Sequence, residues 1–112
     1  MPIPNADSAF VTPDKLSDYL LDDQHPVGGG KAKWFHGLGY DRADPVVLEQ
    51  DLLKLVRDSE DFTEKQSTFG TKYVVSGKIT APSGDVVNVT TVWIVEPGEM
   101  RLRLVTAYPG DA

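Results

Sequence analysis

The sequence predicts an α+β domain in which two to three N-terminal helices pack on a C-terminal four-stranded antiparallel sheet, a meander. Three observations predict it. Apolar residues recur at i, i+3, i+4 in the first half of the chain and at every second position after Ser59, the periods of a helix face and of a strand. The strand-like runs are joined by short Gly- and Pro-containing segments, and parallel pairing would need far longer crossovers. Helices first and strands second is an α+β order. At 112 residues, 40% hydrophobic and 25% charged, the chain makes one domain, able to bury roughly 65% of its unfolded surface.

The elements follow in order. Residues 3–12 read as an extended polar lead-in, with Ile3, Phe10 and Val11 able to dock. Thr12-Pro13-Asp14 starts a helix: a capping hydroxyl, a proline at the first helical position and a carboxylate facing the dipole. Leu16, Tyr19 and Leu20 form its apolar stripe, and it ends near Asp22 or Asp23. Residues 24–30 read as a loop, because His25 precedes Pro26 and three glycines follow. Residues 31–38 form a short helix with Ala32, Phe35 and Leu38, or Trp34 and Leu38, toward the core, stopped at Gly39. Asp44-Pro45 repeats the cap-plus-proline device, and Leu48, Leu52, Leu55 and Val56 line the buried face of a helix over residues 45–58.

Four strands come next. Residues 62–66 form the first, and Phe69-Gly70-Thr71 a turn or bulge. Residues 72–80 form the second, with Tyr73, Val75 and Ile79 on one face and Lys72, Val74, Ser76 and Lys78 on the other. Residues 81–85 make a hairpin turn. The last two strands lie within residues 86–109, joined by Glu96-Pro97-Gly98-Glu99, where proline presets φ and glycine supplies a positive one. Strict alternation groups Thr91 with Trp93 on one strand. On the other it groups Thr106 and Tyr108 with Leu102 and Leu104, leaving Arg101 and Arg103 opposite unless a bulge re-aims one.

Several function classes are excluded or disfavoured. There is no cysteine, hence no disulfide frame and no thiolate metal site. Two histidines, without CxxC or HExxH spacing, do not make a metal site, and no cofactor motif is present. No apolar run reaches the ~20 residues of a membrane span, and the N-terminus lacks the pattern of a signal peptide. A cytoplasmic protein is the expectation, either free-standing or a piece of a larger chain. The net charge is −6: there are 13 acidic and 7 basic residues up to Lys65, and four of each from Gln66 onward. This disfavours broad electrostatic binding of nucleic acid, while leaving a local basic site of Lys72, Lys78, Arg101 and Arg103.

Chemistry concentrates in two places. Residues 27–31, three glycines ahead of Lys31 and a short helix, offer backbone amides to an anion, although the Walker A spacing is absent. A flexible connection explains the same residues. The final hairpin carries Thr91, Trp93, Thr106, Tyr108 and Arg103, donors for a phosphate or carboxylate; strand propensity and core filling account equally for the threonines and aromatics. His25 and His36 are the side chains that titrate near neutrality. No GxSxG elbow exists, and no pair of carboxylates stands out.

The segments HPVGGGKAKWFHGLGY, FGTKYVV, VTTVWIV and RLVTAYP together resemble a small bacterial domain family of unknown function, found alone and at the C-termini of polymorphic toxins. The resemblance covers residues 3–109. It departs at Gly30, where the pattern often has a histidine directly before the lysine, which transfers any histidine role to His25 or His36. At the level of fold the plan is similar to the barnase/EndoU/RelE-like RNase toxins. That likeness implies metal-independent RNA cleavage by attack of a 2′-OH on the adjacent phosphodiester, with a cognate antitoxin or immunity protein as partner. On this chain it implies His25 as base, Lys31 and Arg103 as cations and Thr106 and Tyr108 as catalytic donors. Thr91 and Lys72 would help bind substrate, and Trp93 or Tyr73 would stack a base. The alternative is a non-catalytic binding module, such as an antitoxin or adaptor, docking through the acidic face of Asp14, Asp18, Asp22 and Asp51.

Overall fold

Among the described residues, two helices lie on one face of a four-stranded antiparallel sheet, an α+β fold. The structure is a computed structural model that describes residues 8–12, 29–41, 44–59 and 62–109. The expected helix over residues 13–22, and His25 with it, lie outside the described residues.

Helix α1 spans Gly29–Gly37, so it begins two residues before the position expected from its first good helix former. Ala32 and Phe35 are fully buried and Leu38 nearly so. The chain leaves the helix through Gly39 at φ +96°, with the Tyr40 amide donating to the Phe35 carbonyl at 3.2 Å, a glycine stop that a side chain would resist.

Helix α2 spans Pro45–Asp58 and buries Leu48, Leu52, Leu55 and Val56, the stripe expected at i, i+4, i+7, i+8. The start differs in one detail. Asp44 holds the N-cap position, but its side chain makes no capping bond, so the proline at the first position carries the signal.

The strands are β1 (Phe62–Ser67), β2 (Gly70–Thr80), β3 (Val86–Val95) and β4 (Arg103–Pro109), paired in the order β1-β2-β3-β4. Gly70 opens β2 at φ +129° after the Thr68-Phe69 turn. A short segment adds to the β4 edge, which alternation did not predict. Phe10 bridges Arg103 in parallel, its amide donating to the Leu102 carbonyl at 2.9 Å and its carbonyl accepting from the Leu104 amide at 3.1 Å. Ala9 and Val11 on either side of it are buried.

One contiguous core joins the helices to the inner sheet face: Phe35, Leu48, Leu52, Leu55 and Val56 meet Val75, Val89, Trp93, Leu104 and Ala107. Helix α2 packs closely on Gly77, where a Cβ would sit 3.2 Å from Leu55 Cγ.

Two glycines with positive φ separate backbone preference from crowding. A Cβ on Gly70 would meet the Val95 carbonyl oxygen at 2.3 Å, whereas one on Gly84 (φ +95°) meets nothing within 4 Å. Gly84→Ala should cost about 1 kcal/mol, the backbone cost alone. Gly70→Ala should cost several times more, read as a larger drop in the midpoint of urea denaturation.

Candidate functional site

The site begins with a break in the β3–β4 register. Thr91 pairs with Ala107 and Val92 with Thr106, but Trp93 pairs with Leu104, so β4 carries one extra residue at a bulge. A bulge inverts the facing of everything beyond it. Leu102, Leu104 and Ala107 therefore all enter the core. Arg103, Thr106 and Tyr108, opposite Ile94, Val92 and Thr90, share the outer face. This corrects the strict alternation expected for β4, which put Thr106 and Tyr108 on the side of Leu102 and Leu104 and Arg103 on the other.

The register lays the outer face out in rows. Lys65, Lys72, Ile94 and Arg103 form one continuous row across all four strands, with neighbours about 4.8 Å apart. Thr63, Val74, Val92 and Thr106 form the next, then Ser76, Thr90 and Tyr108, then Lys78 and Asn88. Ser76 and Thr90 share a hydroxyl–hydroxyl bond of 2.9 Å. Among the described residues the strands carry four cations, Lys65, Lys72, Lys78 and Arg103, and one carboxylate, Glu64. All four cations face outward. Glu64 faces the helix side beside Tyr73, whose hydroxyl donates to it at 3.2 Å.

Lys65 and Lys72 stand directly opposite one another. Like charges at such positions destabilise a sheet by a few tenths of a kcal/mol. At the end of the row Arg103 donates from Nε to Glu96 at 2.8 Å, with Nη2 at 2.7 Å from the same oxygen. Both side chains are well exposed, 34% and 47%, so the pair is weakly held and open to exchange for another anion. Arg101 sits beside it, 4.1 Å over the Phe10 ring with Nε donating to the Ser8 carbonyl.

The remaining expected site residues fall elsewhere. Thr91 and Trp93 are fully buried. Thr91 Oγ1 donates to the Val75 carbonyl at 2.9 Å and accepts from Trp93 Nε1 at 2.7 Å, which satisfies both polar groups inside the core. Stacking on a base is therefore closed to Trp93, and Tyr73, 7% exposed on the same inner face, is no better placed. Lys31 lies in the first turn of α1, the helix that packs on β4 from the inner side. His36, near the end of α1, has Nδ1 3.1 Å from the Tyr40 carbonyl oxygen. Among the described residues no three His, Asp or Glu side chains gather to hold a metal, and no helix is long and apolar enough to cross a membrane.

The domain-family model for DUF6883, a domain of unknown function, matches residues 2–111. The chain belongs to this family. The DUF6883 fold also occurs in a solved structure. It matches a chain of a contact-dependent growth inhibition toxin–immunity protein complex from Klebsiella pneumoniae 342, with a TM-score of 0.74 and 19% identity over 96% of this chain and 98% of that one. At that identity the likeness concerns the fold. No curated protein matches the chain.

Sequence reasoning missed Lys65 and the Phe10–Arg101 contact. Lys65 was legible as the partner of Lys72 once the two-residue turn was assigned, since that turn sets the register. The Phe10 bridge joins residues far apart in the chain and left no local signal.

Two outcomes follow. Thr91→Val should strand the Trp93 indole N–H and cost about 1–3 kcal/mol, measured by urea denaturation followed through tryptophan fluorescence. Tyr40 donates to Asp51 Oδ2 at 2.6 Å. Burial first, then the Asp51 bond and charge, hold its phenol well above the ordinary tyrosine value. A folded-state pKa above the unfolded one stabilises the fold fully below about pH 10, and that contribution is lost as pH rises further. Stability should thus fall steeply in alkali, and Tyr40→Phe should flatten that fall.

Proposed function

We propose that this DUF6883 chain is a toxin-type endoribonuclease, neutralised by a cognate immunity or antitoxin protein, with the outer sheet face as its RNA-binding and catalytic surface. The observation that carries the reading is the sorting of charge on the sheet. In a chain of net charge −6, every strand cation faces outward and the one strand carboxylate faces inward. A cationic row beside rows of hydroxyls suits a phosphodiester backbone, which needs charge neutralisation and donors to its oxygens. The growth-inhibition complex that shares the fold supports a toxin setting.

Cleavage would proceed by internal transfer. A base removes the proton of the 2′-OH, O2′ attacks phosphorus, and the bond to the 5′-oxygen breaks. That oxygen takes up a proton, leaving a 2′,3′-cyclic phosphate and a 5′-hydroxyl. The chemistry requires no metal. Arg103 would stabilise the charge gathered on the phosphorane oxygens, having released Glu96. Thr106 and Tyr108 would orient the phosphate, and Lys72 would hold a flanking one. His25 is the proposed base, and Lys31, carried by the helix on the inner side of the sheet, is left out of the outer-face site. Thr91, Trp93 and Tyr73 act through packing and are left out of the site.

The test is purified protein with structured and single-stranded RNA, with and without EDTA. Cleavage should be EDTA-resistant and end in cyclic phosphates. Arg103→Ala and His25→Ala should lower the rate by about 100-fold or more, the range expected for charge stabilisation and general-base groups, with circular dichroism unchanged. Intact RNA at high enzyme concentration, together with unimpaired growth on expression in cells, would overturn the nuclease and favour a binding module.

A further inference from the structure

We infer that Phe69, at the tip of the β1–β2 hairpin, stacks a base of single-stranded RNA whose phosphates lie along Lys65 and Lys72. The inference rests on the outer face being the RNA surface, and adds to it a selection of unpaired strand over duplex. Sequence reasoning assigned base stacking to Trp93 or Tyr73, and both rings are turned into the core. Phe69 is the opposite case. It is 74% exposed, the most open large hydrophobic side chain among the described residues, and it lies outside the core cluster.

Neither the turn nor the core calls for an aromatic there. Tight turns favour Gly, Asn, Asp and Ser, and a ring left in water contributes no burial. The turn is held by Ser67, whose Oγ donates to the Gly70 carbonyl at 2.8 Å and accepts from the Phe69 amide at 3.3 Å. Ser67 pairs with Gly70 two residues on from Lys65, so its side chain shares the outer face. The bond from the Phe69 amide ties the turn to that face and fixes the backbone that carries the ring. A ring mounted this way loses little freedom on binding.

The surroundings suit a strand of nucleic acid. Lys65 and Lys72 oppose one another one row, about 7 Å, from the Ser67–Gly70 pair. Opposed lysines and a bare ring, both unfavourable in isolation, thus occupy one hairpin tip. A phosphate between the lysines relieves the first, and a stacked base covers the second. A protein hot spot is the rival use of an exposed ring, but such rings sit in patches depleted of charge, and this one ends a lysine pair. Phe69 is three residues from Lys72, at most about 11 Å of chain. Lys72 is two strand spacings, about 10 Å, from Arg103 across Ile94. The stacked base therefore belongs to a nucleotide to one side of the scissile phosphate. In a duplex that base is already stacked and paired, and does not receive the ring.

The test measures, by fluorescence anisotropy, the affinity for a labelled 2′-O-methyluridine strand, which is RNA-like and lacks the free 2′-OH that cleavage needs. Its duplex with 2′-O-methyladenosine is the comparison. Phe69→Ala should weaken single-strand binding by at least about fivefold, the range for loss of one base–aromatic stack, and leave any duplex affinity unchanged. Phe69→Trp should retain the affinity, with its emission quenched on binding. Both should keep the wild-type midpoint in urea, since the side chain is exposed. Lys72→Ala should weaken both strands and lower the salt slope by about 1. Phe69→Ala binding the single strand as tightly as wild type, while Lys72→Ala binds it more weakly, would overturn the stacking role, leave the RNA surface standing and assign the ring to a protein contact. Equal losses for single strand and duplex in Phe69→Ala would also overturn it. Wild-type protein that binds neither strand would overturn the stacking role and the RNA surface together.

Discussion

One extra residue in β4 governs what this molecule can offer to a ligand. The bulge beside Trp93 lets Leu102, Leu104 and Ala107 all point into the core although their spacing is not even. Without it the strand would have to choose between burying Ala107 and burying Leu104, because a strand's facing alternates strictly. The same shift turns Arg103 to the side that already holds Thr106 and Tyr108. Core packing and the composition of the outer face are therefore two consequences of a single irregularity, which is consistent with the way bulges re-aim side chains near functional surfaces.

The helices make the sheet two-faced. Their apolar stripes cover the inner side, and the polar atoms trapped there are satisfied locally. Thr91 serves both the Val75 carbonyl and the Trp93 indole, and Tyr40 reaches Asp51 at the rim. Among the described residues no buried side-chain nitrogen or oxygen lacks a partner, so the inner face has little polar capacity to spare for a ligand. Charge follows the same division. Acidic residues gather on the helical half and at the turns, while the charged residues at outward strand positions are all cations. Stability alone does not call for Lys65 opposite Lys72, since surface pairs of like sign weaken a sheet.

The sheet's two edges are treated differently. On the β4 side the Phe10 segment supplies a bridging amide and carbonyl, flanked by buried Ala9 and Val11. On the β2 side, among the described residues, the ladder with β1 runs to Val75 and the strand continues to Thr80, beside the last turns of α2.

What the residues alone determined was everything with a short range. The 3.6-residue period and Pro45 defined α2 with its four buried side chains, and Gly39 its predecessor's stop. The alternation of Tyr73, Val75 and Ile79 defined the inner side of β2, and the turn residues defined the meander. Proline, glycine and periodicity act within a few positions, so they can be read along the chain. The tertiary structure decided the facing of β4, the burial of Thr91 and Trp93 and the union of Lys65, Lys72 and Arg103 in one row. It also decided the Phe10 bridge. Each of these depends on which residue lies across from which in a neighbouring strand, and pairing between distant residues is set by the packing of the whole core rather than by any local preference.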